Sequence, residues 1–506
     1  MSGESETARW RVKATLQRQG RALIAAAALA IAGCVPNDAR LDAALDVPES
    51  YRAAPRGAPD AAPPELDWWR GFRSPELTAL IEEAQNVNLD IGAAAARISQ
   101  ADAQARIAGA ALLPLVNAQG SGTHSRASIA TGGSGSSGGF RREGNLYQAA
   151  LTASYEVDFW GKNRALLEAA RNTAVASRFD HEVVALSTVA SVANAYFQVL
   201  AAQDRLRLAR DNVRSATRIL GLIKQRLDAG TTSGLEVAQQ ESLVGQQRAL
   251  IPPLTQTLRQ NINTLAVLIA RPPERVNIRG GSMSQLAIPR VTPGLPSDLL
   301  TQRPDIREAE ASLTAANANV YAARAAFLPN IQLTGQDGFS SAVLRSLFRP
   351  EAVFFSLAAS ATQPIFDGGT LLGQLEQQKG KQEELLQDYR KAVISGFADV
   401  DSALVAVQQT ALTERADRAV VTSSRKAFEI AETRLREGTV DLVTVLQTQQ
   451  TLFQAQDALV QARLSRLQAA VSLYQALGGG WPPAEAVEAA NAGDYAWGGI
   501  VSPAAK

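Results

Sequence analysis

The stretch LYQAALTASYEVDF at residues 146 to 159 alternates apolar and polar side chains along its length. One face carries Tyr147, Leu151 and Tyr155 with alanines between them, whereas the other face carries small polar side chains and Glu156. A period of two residues is the pattern of a β-strand whose faces meet different surroundings. An apolar face about ten residues long, with aromatic side chains near its ends, is typical of a strand with lipid on one side and water on the other.

The same alternation recurs in three other places, which predicts four strands in the chain. The strands lie at about residues 115 to 125, 146 to 159, 330 to 340 and 353 to 366, and the first is the least regular. A half-buried strand of a soluble sheet also alternates in this way. The strands alone therefore leave that alternative open.

Long helices are predicted after the strands. Neither Gly nor Pro interrupts the chain from Lys162 to Leu220 or from Thr439 to Leu477. At about 1.5 Å per residue, a helix from Lys162 to about Leu227 is roughly 100 Å long. Its apolar positions from Leu206 onward step by three and four residues, which predicts the seam of a coiled coil. The Pro252-Pro253 pair is expected to kink or split the returning helix.

The chain contains one unit twice. A shift of about 208 residues aligns the stretch RLDAGT that begins at Arg226 with the stretch RLREGT that begins at Arg434. We therefore predict two copies, at residues 76 to 270 and 297 to 477, with a Pro-rich linker at 271 to 296 and a C-terminal tail at 478 to 506. Each copy is predicted to hold a helix, two strands and a long helical hairpin. The hairpin tips fall near Gly230 and Gly438.

Four strands are too few to close a barrel, and the open edges of a sheet cannot lie in lipid. The barrel must therefore be shared between chains. Two chains give eight strands, a barrel that side chains fill, whereas three chains give twelve strands and leave a lumen. The sequence thus predicts an α+β membrane protein, in which a homotrimer forms a twelve-stranded β-barrel that continues into a long α-helical coiled-coil tunnel.

The N-terminal segment has the layout of a secretory signal peptide at residues 1 to 33. A basic stretch precedes the uncharged apolar run from Ala22 to Ala32, which at about 11 residues is shorter than the roughly 20 that span a bilayer. The residues before Cys34 resemble a bacterial lipobox, which predicts lipidation of Cys34, and Val35 after it implies sorting to the outer membrane. Residues 34 to 75 are predicted to be a lipidated tether. An incidental Cys after an ordinary signal peptide is the alternative.

The composition excludes several classes of function. Fifty Lys and Arg residues balance 49 Asp and Glu residues for a formal charge of +1, so no basic footprint for nucleic acid is present. One Cys and two His residues do not make a disulfide framework or a Cys and His metal site. His124 and His181 are interpreted as a strand or loop residue and a solvated helix residue. No phosphate-binding loop or catalytic motif is present, so we predict no cofactor, no metal site and no enzyme activity.

Several separated motifs resemble the outer-membrane efflux channels of the TolC type, in particular the lipoprotein, NodT-like branch that serves resistance-nodulation-division multidrug pumps. The resemblance covers the chain from Cys34 to about Trp481. The motifs that carry it are WWRGFRSPEL at residues 68 to 77, DFWGKNR at 158 to 164, LLTQRPDIR at 299 to 307 and QPIFDGG at 363 to 369.

The resemblance implies a passive homotrimeric exit duct in the outer membrane that carries drugs or other small molecules from the periplasm to the exterior. A periplasmic adaptor protein and an inner-membrane resistance-nodulation-division pump are the implied partners, together with outer-membrane lipid and no nucleic acid. The linker at 271 to 296 and the tail are implied to lie in an equatorial region of the tunnel.

The resemblance also implies a role for the hairpin tips, which close the periplasmic aperture and meet the adaptor. The residues concerned are Gly230, Thr231, Gly438 and Thr439. Asp441, with Val440 and Leu442, matches positions that line the aperture, and three copies of one carboxylate attract cations. Asp441 is also suited to cap the returning helix, and the two roles are compatible. Ser233 occupies the equivalent position in the first copy, so the tips are chemically unlike.

Three alternatives remain at this point. A structural coiled-coil lipoprotein of the envelope explains the helices and Cys34 but does not explain the alternating strands. A channel for type I protein secretion shares the fold, and metal efflux is a third possibility that two Met residues do not support. The segment from Arg303 to Arg307 belongs to a matching motif, but Pro304 and Asp305 already suit the start of a helix, so we predict no site there.

Overall fold

A computed structural model of the chain describes residues 45, 47–48, 51–52, 66–126, 143–289, 296, 299–479 and 481. The predicted signal peptide, Cys34, most of the tether and the tail beyond 481 lie outside the described residues. The predicted linker is described up to residue 289 and at residue 296.

The first half of the chain places two helices before a β-hairpin and a long helical hairpin after it. The elements are α1 (Pro75–Val87), α2 (Leu89–Ala110), β1 (Leu115–Arg126), β2 (Glu143–Val157), α3 (Lys162–Asp228), α4 (Gly234–Ala249) and α5 (Ile251–Leu268). The returning helix divides into α4 and α5 just before the Pro252-Pro253 pair, as predicted, because proline fits the first turn of a helix but not its interior.

The second half follows the same order. Its elements are α6 (Leu299–Gln302), α7 (Pro304–Ala325), β3 (Asn330–Ser341), β4 (Val353–Thr362), α8 (Thr370–Glu437) and α9 (Leu442–Ala476). The prediction that the last strand reaches residue 366 was wrong. Pro364 has no N–H for a ladder, and the two apolar side chains that follow it, Ile365 and Phe366, lie exposed beyond the sheet.

The same capping arrangement connects each β-hairpin to the long helix that follows it. Asp158 accepts hydrogen bonds from the backbone N–H groups of Asn163 and Arg164 at 2.9 and 3.0 Å, and so leaves the sheet to cap α3. Asp367 accepts from the N–H groups of Gly369 and Leu371 at 2.9 and 2.7 Å at the start of α8. These carboxylates satisfy N–H groups that the first turn of a helix leaves unpaired.

The four strands form one antiparallel sheet in the order β1-β2-β3-β4. The register pairs Ala149 with Phe339, and Phe339 with Val353, so these side chains share one face. That face, the apolar face, also carries Val116, Ala118, Tyr147, Leu151, Ala153, Tyr155, Val157, Ile331, Leu333, Phe355, Leu357, Ala359 and Ala361. The opposite, polar face carries Asn117, Gln119, Ser121, Thr123, Gln148, Thr152, Ser154, Gln332, Thr334, Gln336, Ser340, Ser356 and Ser360.

Both outer strands have an open edge. Within the described residues β1 pairs only with β2 and β4 pairs only with β3. The apolar side chains of β4 are strongly exposed, and Leu357 keeps 83% of its surface accessible. The single chain therefore presents unpaired backbone groups and apolar side chains together along β4.

The helices form a wall that is far longer than it is thick. Helix α3 has 67 residues and α8 has 68, so each is about 100 Å long. Helix α3 packs against α7, α2, α4, α5 and α9, while α8 packs against α9 and α7. One stretch of α3 is long and apolar enough to cross a membrane by composition, but 56% of it is buried inside the chain.

The largest hydrophobic core surrounds the middle of α3. Phe72 packs against Phe197 of α3 with ring centroids 5.1 Å apart, and Trp68 stacks on Tyr474 of α9 at 4.7 Å. Leu77 and Ile81 of α1 are fully buried in the same cluster. The segment before α1 thus binds the two halves of the chain at one level of the helical wall.

Gly338 of β3 provides a test of the sheet register. A Cβ atom at this position would lie 2.6 Å from Cα of Ala150 and clash with the carbonyl oxygen of Ala149, both backbone atoms of β2. We expect Gly338→Ala to weaken β2–β3 pairing by roughly 1–3 kcal/mol, the usual cost of overpacking. Heat-modifiable, protease-resistant protein recovered from cells should fall several-fold. Gly120→Ala in β1, where nothing lies within 4 Å, should match the parent; equal recovery of both variants would contradict the register.

Candidate functional site at the helical tips

The two tips end their first helix in the same way. Gly230 and Gly438 adopt left-handed φ values of 71° and 76°. The N–H of Thr231 donates to the carbonyl of Arg226 at 2.9 Å, and the N–H of Thr439 donates to that of Arg434 at 2.9 Å. Each threonine hydroxyl donates to the same carbonyl. The Gly-Thr pair therefore closes a long helix in both copies, and this structural role accounts for both residues.

The two tips lie side by side in one chain. A Cβ atom placed on Gly438 would be 3.4 Å from Nη2 of Arg226, so the first tip reaches the second. Beneath them lies a hydrophobic cluster from α3, α8 and α9, which fixes the tips as a unit. Its buried members are Ile219, Ile223, Phe428, Ala431, Leu435, Leu442, Val445 and Leu452.

Asp441 caps α9 and remains exposed to solvent. Its Oδ1 accepts hydrogen bonds from the N–H and the hydroxyl of Thr444 at 3.0 and 2.6 Å. These bonds lower the pKa of Asp441 below its ordinary value, so the carboxylate is ionised at neutral pH. Ser233, at the equivalent position before α4, forms no such bond. The predicted cap and the predicted difference between the tips are both present.

Of the three residues predicted to line the aperture, only Asp441 is exposed. Val440 is partly buried, and Leu442 keeps only 2% of its surface accessible in the cluster beneath the tips. The Leu442 side chain therefore supports the tip from behind and has no free surface for a pore. The reason is the position of Leu442 at the start of α9, where the helix faces α3.

Two buried glutamines in the seam were not predicted. Gln240 of α4 and Gln449 of α9 are both fully buried, and Nε2 of Gln240 donates to the carbonyl of Ala216 at 2.9 Å and approaches Oε1 of Gln449 at 3.5 Å. A polar pair at a seam position favours one register of the helices over others. The signal in the sequence is the interruption of the apolar steps by glutamine.

A buried carboxylate joins α8 to α9 farther up the wall. Glu414 keeps 2% of its surface accessible, and it accepts from Arg463 at 3.0 Å, Arg466 at 2.7 Å and Arg418 at 2.9 Å. Burial raises the pKa of Glu414, but the hydrogen bonds and charges of Arg466 and Arg463 outweigh burial, so the pKa lies below its ordinary value. Two of the partners are about 50 residues away in sequence, so no local pattern marked this group.

The segment after α6 has a larger structural role than its sequence suggested. Pro304 stands at the first position of α7, as predicted. Arg303 before it is buried, and it donates to Asp305, to Asp399 of α8 at 3.2 Å and to the carbonyl of Ala476 at 3.0 Å. Burial lowers the pKa of Arg303, but the hydrogen bonds and charges of Asp305 and Asp399 outweigh burial, so the pKa lies above its ordinary value. This guanidinium joins α7, α8 and the end of α9.

The two histidines bind protein groups. Nδ1 of His124 in β1 lies 2.7 Å from Oδ1 of Asn145, and Nδ1 of His181 on α3 lies 3.0 Å from a carboxylate oxygen of Glu182. The Glu182 carboxylate accepts this hydrogen bond and raises the pKa of His181. His181 is half-buried, not fully solvated as predicted. In the described part of the chain no group of three or more His, Cys, Asp or Glu side chains is placed to hold a metal ion.

Comparison with known proteins decides the family. The family model for outer membrane efflux proteins matches residues 80–271 and 295–479. The chain belongs to the outer membrane efflux protein family. This efflux protein is 39% identical over 456 residues to the pyoverdine export outer membrane protein OpmQ of Pseudomonas aeruginosa, which covers 90% of this chain and 96% of the relative. It is 34% identical over 465 residues to the toluene efflux pump outer membrane protein TtgC of Pseudomonas putida, with 90% and 95% covered.

Solved structures agree with the fold of the efflux protein. A membrane protein from Pseudomonas aeruginosa superposes with a TM-score of 0.78 at 31% identity, covering 85% of this chain and 96% of the other. The open state of the MtrE outer membrane channel from Neisseria gonorrhoeae superposes with a TM-score of 0.77 at 30% identity, covering 86% and 96%. The sheet of this efflux protein therefore lies in the outer membrane, and its long helices extend into the periplasm.

Glu414 predicts an acid-sensitive contribution to stability. We expect Glu414→Gln to destabilise the helical wall by about 3–5 kcal/mol, because removal of one partner of a buried ion pair leaves arginines uncompensated. The pKa of Glu414 lies below the ordinary 4.5, so its contribution is complete above about pH 4.5 and is lost as the pH falls through the lowered pKa.

Far-UV circular dichroism of the detergent-solubilised full chain checks this expectation. The difference in melting temperature between parent and Glu414→Gln should be largest at pH 7 and shrink below pH 4.5. The matched control is Glu429→Gln on an exposed face of the same helix. A difference between parent and Glu414→Gln that does not depend on pH would show that the charge of Glu414 is not responsible.

Proposed function

We propose that three copies of this efflux protein close a twelve-stranded barrel by pairing β4 of one chain with β1 of the next. The observation that carries this proposal is the four-stranded sheet itself, which joins an apolar face to two open edges. An unpaired strand edge cannot lie in lipid, because each unsatisfied N–H or C=O group there costs several kcal/mol. Twelve strands are enough to leave a water-filled lumen lined by the polar face.

The helices of the three chains continue the barrel as a tunnel in this proposal. Helix α8 packs against α9 and α7 on part of its surface, and its remaining surface exposes a row of large apolar side chains. These side chains are Ile394, Val405, Leu412, Val420 and Ile430. A row of this length on a monomeric helix favours burial against a second copy of the chain.

The proposed duct is passive and depends on partners for energy. An inner-membrane resistance-nodulation-division pump supplies the energy and a periplasmic adaptor connects that pump to the helical tips. Leu235 after the first tip is 68% exposed, and Val443 stands at the equivalent position after the second tip and is also exposed. Two such side chains per chain offer apolar contacts for the adaptor. Lipid on Cys34 anchors the chain in the same membrane.

The relatives favour a class of exported compound. Two proteins named for pyoverdine export are 39% and 40% identical to this chain, while proteins named for toluene or solvent efflux are 32% to 34% identical. We therefore propose pyoverdine or a similar compound as the first candidate cargo and drugs, toluene or other solvents as the second. The neutral serine, threonine and glutamine side chains of the polar face suit passage of either.

Deletion of the gene tests the exit-duct proposal. We expect pyoverdine or a similar compound to accumulate in the periplasm and to fall several-fold in the medium, or susceptibility to a panel of antimicrobials and solvents to rise. Return of the gene on a plasmid should restore export. No change in either readout, in a strain that lacks redundant outer-membrane channels, would contradict the proposal.

Asp441 provides a test of the aperture in planar bilayers. We expect Asp441→Asn and Asp441→Ala to lower cation selectivity equally, because three carboxylates around the axis attract cations and both changes remove them. Only Asp441→Ala should speed hydrogen exchange at the Thr444 amide, since the Asn side chain still accepts the capping hydrogen bond. Ser233→Ala, at the equivalent position of the other tip, should leave both readouts unchanged. Parental selectivity in Asp441→Asn would remove Asp441 from the aperture.

A further inference from the structure

The connection between β3 and β4, residues 342 to 352, has a fixed conformation. Ser341 accepts a hydrogen bond from the N–H of Val343 at 3.2 Å, donates to the carbonyl of Val343 at 3.0 Å and lies 2.9 Å from the hydroxyl of Ser346. Two short helical turns, Leu344–Ser346 and Pro350–Ala352, complete it. Leu347 and Ala352 are buried. We name residues 342 to 352 the outer loop, because they lie at the end of the sheet away from the helices.

The outer loop is ordered, yet it exposes large apolar side chains. Phe348 keeps 73% of its surface accessible and Leu344 keeps 61%. The Phe348 ring contacts Phe339 edge to face with centroids 5.4 Å apart. Phe339 shares the apolar face with its register partner Val353, so the outer loop folds over the side of the sheet that meets lipid. Its exposed side chains extend the apolar face beyond the ends of the strands.

The length of β3 sets the depth of the outer loop. β3 has 12 residues, which at about 3.3 Å per residue and a tilt of about 40° rise roughly 30 Å along the membrane normal. The apolar band of an outer-membrane barrel is about 25 Å tall. Phe339, near the end of the strand, therefore lies at the outer boundary of the band. The outer loop is placed where lipid headgroups begin.

The outer loop also carries positive charge at this boundary. Arg345 and Arg349 are exposed, and among the described residues neither forms an ion pair. Glu351 is the acidic residue of the outer loop. In the described part of the other hairpin, Arg126 forms an ion pair with Glu143 at 3.2 Å. Two free guanidinium groups beside exposed phenylalanine and leucine side chains complement a lipid with phosphate groups above its acyl chains.

We propose that the outer loop is a binding site for the phosphorylated glycolipid of the outer leaflet. Arg345 and Arg349 bind its phosphates, since a guanidinium offers paired donors that match phosphate oxygens. Phe348 and Leu344 pack against its acyl chains. The inference rests on the proposed barrel, which sets the depth of the outer loop.

Titration with diphosphoryl lipid A tests the site. The full chain, in nanodiscs of phosphatidylcholine, is titrated and binding is followed by thermophoresis. We expect the double variant R345Q/R349Q to bind roughly 30-fold more weakly, from the usual contribution of two basic residues near an anionic lipid surface. R345K/R349K keeps the charge and should retain most of the affinity. Arg126→Gln, the matched control, should bind as the parent does.

Two further arms identify the ligand. Phe348→Ser should weaken binding of diphosphoryl lipid A but leave the competition by inorganic pyrophosphate unchanged, because pyrophosphate has no acyl chains. Because the proposed ligand is the glycolipid, phosphatidylglycerol should compete less well than diphosphoryl lipid A. Equal affinity of parent and R345Q/R349Q would overturn the proposal. So would a Phe348→Ser variant whose trimer melts earlier while its lipid affinity is unchanged, since Phe348 would then pack against a neighbouring subunit.

Single-channel conductance separates this inference from the proposed function. A parental conductance in R345Q/R349Q together with lost lipid binding supports the outer-loop site alone. A parent chain that forms neither a trimer nor a channel would instead contradict the proposed barrel, whatever lipid it binds.

Discussion

The pairing of backbone groups at the edges of a four-stranded sheet is the constraint on which the rest of the molecule depends. In water an open edge is a site for association, but in lipid it costs several kcal/mol for each unpaired N–H or C=O group. In the described residues each chain has two such edges, one at β1 and one at β4. Insertion and assembly are therefore coupled in the proposed barrel, because the sheet gains its lipid environment only as its edges find partners. The same constraint affects the helices, since each β-hairpin fixes the place on the barrel edge where the long helix that follows it begins.

The passage of the chain from each strand into its long helix depends on a few short-range contacts. Asp158 and Asp367 end a strand and cap a helix, and a glycine with positive φ follows each of them, at Gly161 and Gly369. The carboxylate satisfies the first N–H groups of the helix, while glycine allows the sharp turn that an L side chain would oppose. The long helix then needs no further signal until a Gly-Thr pair closes it. The length of the helical wall, about 100 Å, is thus set by the residues that begin and end its long helices, and the coiled-coil seam holds these helices together.

Periodic features could be predicted from the sequence, and contacts between distant segments could not. The four strands were found from a period of two, and α3, α9 and the split at Pro252 were found from the positions of Gly and Pro. The last strand was predicted to reach residue 366, but the sheet ends at Thr362, before Pro364, which has no N–H for the ladder. At the tips, glycine and the cap could be predicted because each acts within a few residues, whereas the burial of Leu442 depends on side chains of α3 and α8. The ion pairs of Glu414 with Arg463 and Arg466, and of Arg303 with Asp399, have no local period, since these partners lie between 49 and 96 residues away.

The proposed aperture depends on the Asp441 carboxylate, which caps α9 and also supplies the negative charge of the pore. Three like charges around an axis repel one another, which favours protonation and would weaken a cation-attracting ring. The bonds from Thr444 act in the opposite direction, because they stabilise the ionised form of Asp441 and lower its pKa. The cap uses Oδ1, which leaves Oδ2 available to ions and water. The same hydrogen bonds that begin α9 therefore keep the charge in place, whereas Ser233 at the first tip forms no capping hydrogen bond and carries no charge.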